Sequence, residues 1–312
     1  MVGRRITDRL LASGHEVTVS SRSPEPEGLP GAVKTIQWDT KSPFPHEGTF
    51  DAVISVAGAS LIGKRWSPAY KDELRRSRIE TNRHLREWIQ QVQPPPKAFI
   101  SASAVGYYGR APATAVVEES PPGDDFLAQL CVDWEREAMK AESDATRCVV
   151  MRQGVVIDKK GDALEKMLPI FKLGLGGPVG SGKQPVPWIS SHDLARLYVA
   201  ALEDERFSGP VNAVAPSDDT NRDLTKAMGR VLGRPTVFPV PPVMLQAMYG
   251  EAAMVITDGQ SVVPQAAKKF GFTWDHATLD VALRSALEAH EGGEDEHGGG
   301  ETGRRETVTR SA

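Results

Sequence analysis

Apolar positions recur along the first half of the chain in alternating helix and strand rhythms. Ile6, Leu10 and Leu11 share one helical face over residues 2–12, Ser13-Gly14 stops that helix, and residues 16–20 read as a strand. Only Gly3 stands where the last glycine of a G-x-x-G-x-x-G turn would precede the helix, so this is the latter half of a βαβ unit whose first strand is missing. Residues 33–38 form a short strand. Residues 51–59 form an apolar one ending in Ala57-Gly58, where a missing side chain lets a ligand approach the backbone. Ser67-Pro68, a cap followed by proline at the first turn, predicts a helix to about residue 92. Its charges form a solvated face, with Glu73 and Arg78 placed to turn toward the sheet.

A proline brake at 94–96 then precedes a buried strand that changes abruptly into Ser101-Ala102-Ser103-Ala104-Val105-Gly106-Tyr107-Tyr108-Gly109. In an open parallel sheet, ligands collect beyond the carboxyl ends of the strands, so these hydroxyls are expected to face one. A helix over 124–142, with Phe126, Leu130 and Trp134 on one core-facing stripe, leads to a strand at 147–152 and a turn at 153–156. Strands alternating with helices predict an α/β fold, a doubly wound and mostly parallel sheet.

The last third differs in texture. A short helix over 163–172 precedes Gly174-Leu175-Gly176-Gly177-Pro178-Val179-Gly180-Ser181-Gly182, which lacks a Gly-Lys-Ser ending and reads as turn chemistry, not a phosphate cradle. Residues 188–194 cap a helix to about 202, with Asp193 read as a cap in preference to an acid/base partner of His192. Helices are expected near 221–232 and 242–258, and residues 289–312 are expected to be disordered.

Composition narrows the function. The 312 residues carry a formal charge of -4, which offers no electrostatic case for nucleic acid or an anionic membrane. Two cysteines without redox spacing, scattered histidines without zinc spacing and no long apolar run point to a cytoplasmic protein that binds a small molecule and no metal.

The motifs Gly14-His15-Glu16-Val17-Thr18 with Ser21-Arg22, Ala57-Gly58, Ser77-Arg78, the Ser101–Gly109 stretch, Trp134-Glu135, Gly174–Gly177, Trp188-Ile189, Asn212–Pro216 and Gly259–Pro264 carry a resemblance from residue 2 to about 287. The chain resembles the atypical extended short-chain dehydrogenase/reductases called NAD-dependent epimerase/dehydratase or epimerase family proteins, of the family 39U member 1 type. The resemblance implies a Rossmann domain over 1–158, rejoined by 189–216, and a smaller C-terminal substrate lobe from 159–188 and 217–288. It implies cofactor contacts from Gly3, Ser21, Arg22, Val56, Ala57, Gly58, Glu73, Arg78, Ser101 and Val156. Arg22 follows the second strand, where a carboxylate would hold a ribose hydroxyl; a guanidinium there matches a 2'-phosphate, so NADP is expected before NAD.

Two departures from the family qualify this. The missing first strand would remove most of the pyrophosphate cradle, and a targeting segment could have been lost with it; a misassigned start or a truncated product is expected. The usual Tyr-x-x-x-Lys pair is absent too, since Phe126 and Leu130 stand where it would fall. The catalytic candidates are therefore Ser103, polarising a carbonyl, and Tyr107 or Tyr108, supplying a proton. Tyr108, Trp188 and Asn212 are candidates to line the pocket. The expected function is that of an NADP-dependent oxidoreductase or epimerase-like protein, the alternatives being a non-catalytic NADP(H)- or partner-binding protein and an inactive truncated form.

Overall fold

The computed structural model describes residues 1–26, 28–110 and 114–288. In chain order it comprises α1 (Val2–Ala12), β1 (Thr18–Ser21), β2 (Lys34–Gln37), β3 (Ala52–Ser55), α2 (Pro68–Gln91), β4 (Ala98–Ala104), α3 (Phe126–Met139), β5 (Arg147–Gln153), β6 (Val155–Ile157), α4 (Asp162–Lys172), β7 (Trp188–Ser190), α5 (Ser191–Glu203), β8 (Gly209–Ala213), α6 (Asn221–Leu232), α7 (Pro242–Tyr249), α8 (Met254–Thr257), α9 (Gln265–Lys269) and α10 (Leu279–Glu288).

β3, β4, β5 and β8 form a parallel sheet in that spatial order. β4 is central, and its successive side chains point to opposite faces. Ile100 packs with Val149 and Met151 against Ile6 of α1 and Leu194, Leu197 and Tyr198 of α5. Phe99 packs with Cys148 and Val150 against Leu85, Trp88 and Ile89 of α2 and Ala138 of α3. Helices on both faces make the sheet doubly wound, which is why β4 and β5 carry the unbroken apolar runs Ala98-Phe99-Ile100 and Cys148-Val149-Val150-Met151.

β1 pairs only with β2, in a separate two-stranded parallel sheet. The free edges of β1 and β3 line one cavity of about 2610 Å³, far larger than the roughly 300–1,000 Å³ of an ordinary ligand pocket. The cavity runs as a slot between β1 and β3 to the crevice at their carboxyl ends. Among the described residues β1 and β3 are not paired across it. Consequently Ala52, Val53 and Ile54, apolar as they are, stay only half-buried.

β6 pairs with β7 in parallel and carries the chain into a second cluster. There Ile157, Leu164, Phe171, Trp188, Leu224, Met228 and Leu283 join α4, α6 and α10.

Several elements differ from the sequence reading. Residues 153–156 turn only at Gly154, where a Cβ would lie 2.5 Å from the Pro187 carbonyl, and then continue as β6. Residues 188–190 are a strand whose last residue, Ser190, is the actual cap of α5. β8 begins Gly209-Pro210, a breaker pair that concealed it. The single helix expected over 242–258 is broken at Gly250, whose φ of 61° no helix continues through. The glycine loop at 174–182 is indeed a turn, with positive φ at Gly174, Gly180 and Gly182. The tail assigned as disordered lies outside the described residues.

Candidate functional site

The crevice is built from the start of α1 and the carboxyl ends of β1 and β3. α1 opens without a capping side chain and without an acidic residue in its first turn, so its leading N–H groups remain available to an anion. Gly3 lets it approach β3 closely: a Cβ there would sit 3.3 Å from Val56 Cγ2. Gly3, Ser21, Arg22, Val56, Ala57, Gly58 and Glu73 all line the cavity. Arg22 is exposed and, among the described residues, forms no ion pair; its carbonyl accepts from Gln37 Nε2 at 3.4 Å. Ser21 Oγ accepts from the Ser23 N–H at 3.2 Å, which shapes the turn presenting Arg22. Glu73 is partly engaged by Lys64 at 3.8 Å.

Arg78 is positioned differently from the expectation. It is buried beneath the 57–59 loop, donating from Nη2 to the Ala59 carbonyl at 2.9 Å and from Nη1 to the Leu74 carbonyl at 3.2 Å, with Trp134 5.2 Å from its guanidinium. Burial lowers its pKa. A Cβ on Gly58 would lie 3.0 Å from the guanidinium carbon, so Gly58 is the residue that admits the arginine. Ser77 Oγ accepts from the Ala59 N–H at 3.1 Å. Together Ser77 and Arg78 fix the loop; Arg78 itself does not line the crevice.

Ser101 is also withdrawn from the crevice. It accepts from Asn82 Nδ2 at 2.8 Å, while Asn82 Oδ1 accepts from Ser55 Oγ at 2.8 Å, a buried ladder tying β3 and β4 to α2. Val156 is half-buried, and its carbonyl and the Met1 side chain both lie against Gly161, where a Cβ would be 3.3 Å from Val156 O and 3.2 Å from Met1 Cε.

The catalytic candidates sit in a buried polar network in which Glu118 Oε2 has no partner among the described residues. Ser103 Oγ donates to Glu135 Oε1 at 2.5 Å. Arg152 grips the same carboxylate through Nε and Nη2 and reaches Tyr108 Oη and the Glu118 carbonyl through Nη1, at 3.0 and 2.8 Å. Tyr108 donates to Asn212 Oδ1 at 2.6 Å, and Glu118 Oε1 accepts the Asn212 and Ala266 N–H groups. Burial pushes the Tyr108 hydroxyl up to about 12, against the opposing pull of Arg152. Burial also works against the Arg152 charge, but Glu135 more than restores it and the pKa is raised. Tyr107 is half-buried, its ring centre 3.5 Å from the Arg152 guanidinium. Ser103 and Tyr108 are thus fully engaged inside the protein. Tyr108, Trp188 and Asn212, expected to line a pocket, are all buried at 4% exposure or less.

Sequence reading did not single out Glu118, Asn82 or Arg152 for the site. A charge inside the apolar run Val149-Val150-Met151-Arg152 was the available signal, because a buried cation needs a partner. His192, Asp193 and Asp275 bring ligand atoms within 4.8 Å of one another. Arg196 crosses that grouping at 2.9 and 3.1 Å from the two carboxylates, and Asp193 is occupied by the Asp275 and His276 N–H groups.

A doubly wound parallel sheet with an anion-ready helix start at its crevice defines a Rossmann-type nucleotide-binding architecture. The chain belongs to the NAD dependent epimerase/dehydratase family, whose model matches residues 1–214; residues 240–286 match a domain of unknown function, DUF1731. It is 39% identical over 293 residues to the epimerase family protein SDR39U1 of Bos taurus, covering 92% of this chain and 96% of that protein. It is 37% identical over 287 residues to the epimerase family protein Mb2239 of Mycobacterium bovis, covering 91% and 93%. A crystal structure of human SDR39U1 (isoform 2) with NADPH has a TM-score of 0.84 to this fold at 37% identity, covering 92% of this chain and 96% of that one. A UDP-glucose 4-epimerase of Thermus thermophilus in complex with NAD, at 20% identity and a TM-score of 0.74, covering 94% and 96%, shares the fold. No described helix is long and apolar enough to cross a membrane.

Proposed function

We propose that this chain is an NADP(H)-binding oxidoreductase or epimerase-like protein of its family, acting on a small molecule. The observation that carries the reading is Arg22, a cation without an ion-pair partner among the described residues, at the carboxyl end of β1 on the wall of the crevice. Such a group matches a 2'-phosphate. The start of α1 would hold the diphosphate, the 56–58 backbone would lie along the cofactor, and Glu73 would face it. The human relative crystallised with NADPH supports the choice of cofactor. When bound, the cofactor supplies hydride transfer; the protein's part is to orient it and exclude water.

A second reading has its own support. Ser103 and Tyr108 spend their hydroxyl donors on Glu135 and Asn212, and no lysine partners either tyrosine among the described residues. That arrangement favours a protein that binds NADP(H) without Ser/Tyr acid–base turnover.

Titration with NADPH and NADH, followed by cofactor fluorescence and thermal shift, tests the first reading. Saturable NADPH binding with much weaker NADH binding is expected. Equal binding of both, or neither, sinks it. Slow oxidation of bound NADPH by a panel of small carbonyl compounds, unaffected by Ser103→Ala, would favour turnover by other groups.

A further inference from the structure

Eight of the ten large apolar side chains exposed among the described residues fall in two stretches, 170–175 and 237–248, each at least 50% exposed. Leu173, Leu175, Phe238 and Val243 stand out at 74%, 59%, 62% and 69%. The two stretches form one knuckle. The Val240 N–H donates to Pro178 O at 2.8 Å, the Gly180 N–H donates to Val240 O at 2.9 Å, and Gly177 lies against the Phe238 carbonyl so closely that no Cβ would fit. Leu175 folds back on α4 through its N–H to Ile170 O at 3.1 Å. α7, Pro242-Val-Met-Leu-Gln-Ala-Met-Tyr249, has no charged residue and no fully buried one; Leu245 and Tyr249 are half-buried on its inner face, Tyr249 against the Trp66 cluster. An apolar helix whose Val243, Met244 and Met248 stay in solvent marks a surface that something covers.

The charges around it indicate what. Residues 166–191 and 224–250 contain Lys166, Lys172, Lys183, Lys226, Arg230 and Arg234 and no Asp or Glu, with Glu165, Asp193, Asp223 and Glu251 at their ends, in a chain whose net charge is -4. Arg230 is paired with Asp280, and Lys166 donates to the Ile62 carbonyl. The other four form no ion pair among the described residues. A second copy docking through this same face would bring like charges together. A surface that is apolar within and negative at its rim satisfies both features.

We propose that the knuckle at 170–175 and 237–248 docks on an anionic lipid bilayer, with its apolar side chains inserted shallowly and Lys172 and Arg234 meeting the headgroups. Net charge concealed this, because it averages a local basic excess with the acidic residues of the rest of the chain.

Sedimentation of the full chain with phosphatidylcholine vesicles, with and without phosphatidylglycerol, tests the proposal. Binding to the mixed vesicles is expected, weakening about tenfold or more on omitting the anionic lipid or raising salt. Phe238→Asp with Val243→Asp, and separately Lys172→Glu with Arg234→Glu, should each reduce it about tenfold or more at an unchanged thermal midpoint, since all four side chains are exposed. Cys131 and Cys148 are buried, so a dye on Phe238→Cys labels the knuckle alone and should shift blue on the mixed vesicles. Equal binding to neutral vesicles, no sedimentation, or sedimentation without the dye shift overturns the proposal. So does a dimer in light scattering that Phe238→Asp abolishes, which would make a second copy the occupant.

Discussion

Arg152 on β5 holds Glu135 on α3 with two hydrogen bonds, 2.9 Å from Nε to Oε1 and 2.8 Å from Nη2 to Oε2, and Ser103 adds a third to the same carboxylate. The pair is almost wholly buried, at 4% and 10% side-chain exposure. Two charges out of water stabilise a fold only while both are present, so removing one strands the other. Glu135→Ala is expected to lose about 3–5 kcal/mol in urea unfolding. Ser103→Ala should cost about 1–3 kcal/mol and leave NADPH affinity unchanged. Loss of NADPH affinity in Ser103→Ala, at preserved stability, would return that hydroxyl to the binding site.

Arg22 makes the opposite prediction. Its side chain forms no ion pair among the described residues, so the fold gains nothing visible from its charge. Arg22→Ala should leave the urea midpoint unchanged and weaken NADPH binding about 10–100-fold, the scale of one lost charge-assisted contact, while NADH binding stays the same. Isothermal titration with both cofactors checks this. An equal loss for both would place Arg22 on the diphosphate instead.

These two arginines show where the sequence was legible. Elements with a strong rhythm, α1, α2, β4 and α3, could be read because their apolar positions decide which face is buried, and Ser67 capped α2 as expected by accepting from the Tyr70 N–H at 3.2 Å. The place of Arg22 on the crevice wall was legible because it follows directly on a strand. Ser103 and Tyr108 were misjudged as ligand-facing because rotamer and partner, not position, decide whether a hydroxyl at a strand end looks outward. Their partners Glu135 and Asn212 lie 32 and 104 residues away in sequence. Short elements such as β7 and β8 were missed because burial by distant segments, not local pattern, makes them strands.

Asp158 gives a pH test. It directly follows β6, is 1% exposed, and accepts from Arg5 Nε at 3.0 Å and Ser191 Oγ at 2.7 Å, joining α1 and α5. Burial alone would raise its pKa, but the Ser191 hydroxyl, the Lys160 N–H and the Arg5 guanidinium together hold it below the ordinary 3.8. A carboxylate depressed on folding contributes stability above its unfolded pKa and loses it as pH falls through the folded value. Wild type should therefore exceed Asp158→Asn in stability at neutral pH, with the gap closing below about pH 4. Urea midpoints measured from neutral to acid pH would show it; a gap that persists unchanged in acid would mean the ion pair is not its source.

The slot between β1 and β3 makes the strongest demand on the fold. Each strand presents one unpaired backbone edge to the cavity, and Val19, Val53 and Ile54 lie half-buried along it. Strands pair at about 4.8 Å, so a segment entering in parallel could hydrogen-bond to both edges and cover those side chains. An extension placed before Met1, a short run of Val and Ile followed by glycines, is suited to this because α1 begins at the crevice. Burying about four such side chains offsets the ordering of their backbone by a few kcal/mol. The expected result is a thermal midpoint higher by roughly 5 °C or more, with tighter NADPH binding, since the glycine turn would add N–H groups beside the α1 start. The control is the same extension with alternate residues replaced by proline, which cannot donate to a ladder. If that control stabilises equally, the added segment is covering the surface without pairing, and the slot is not a strand site.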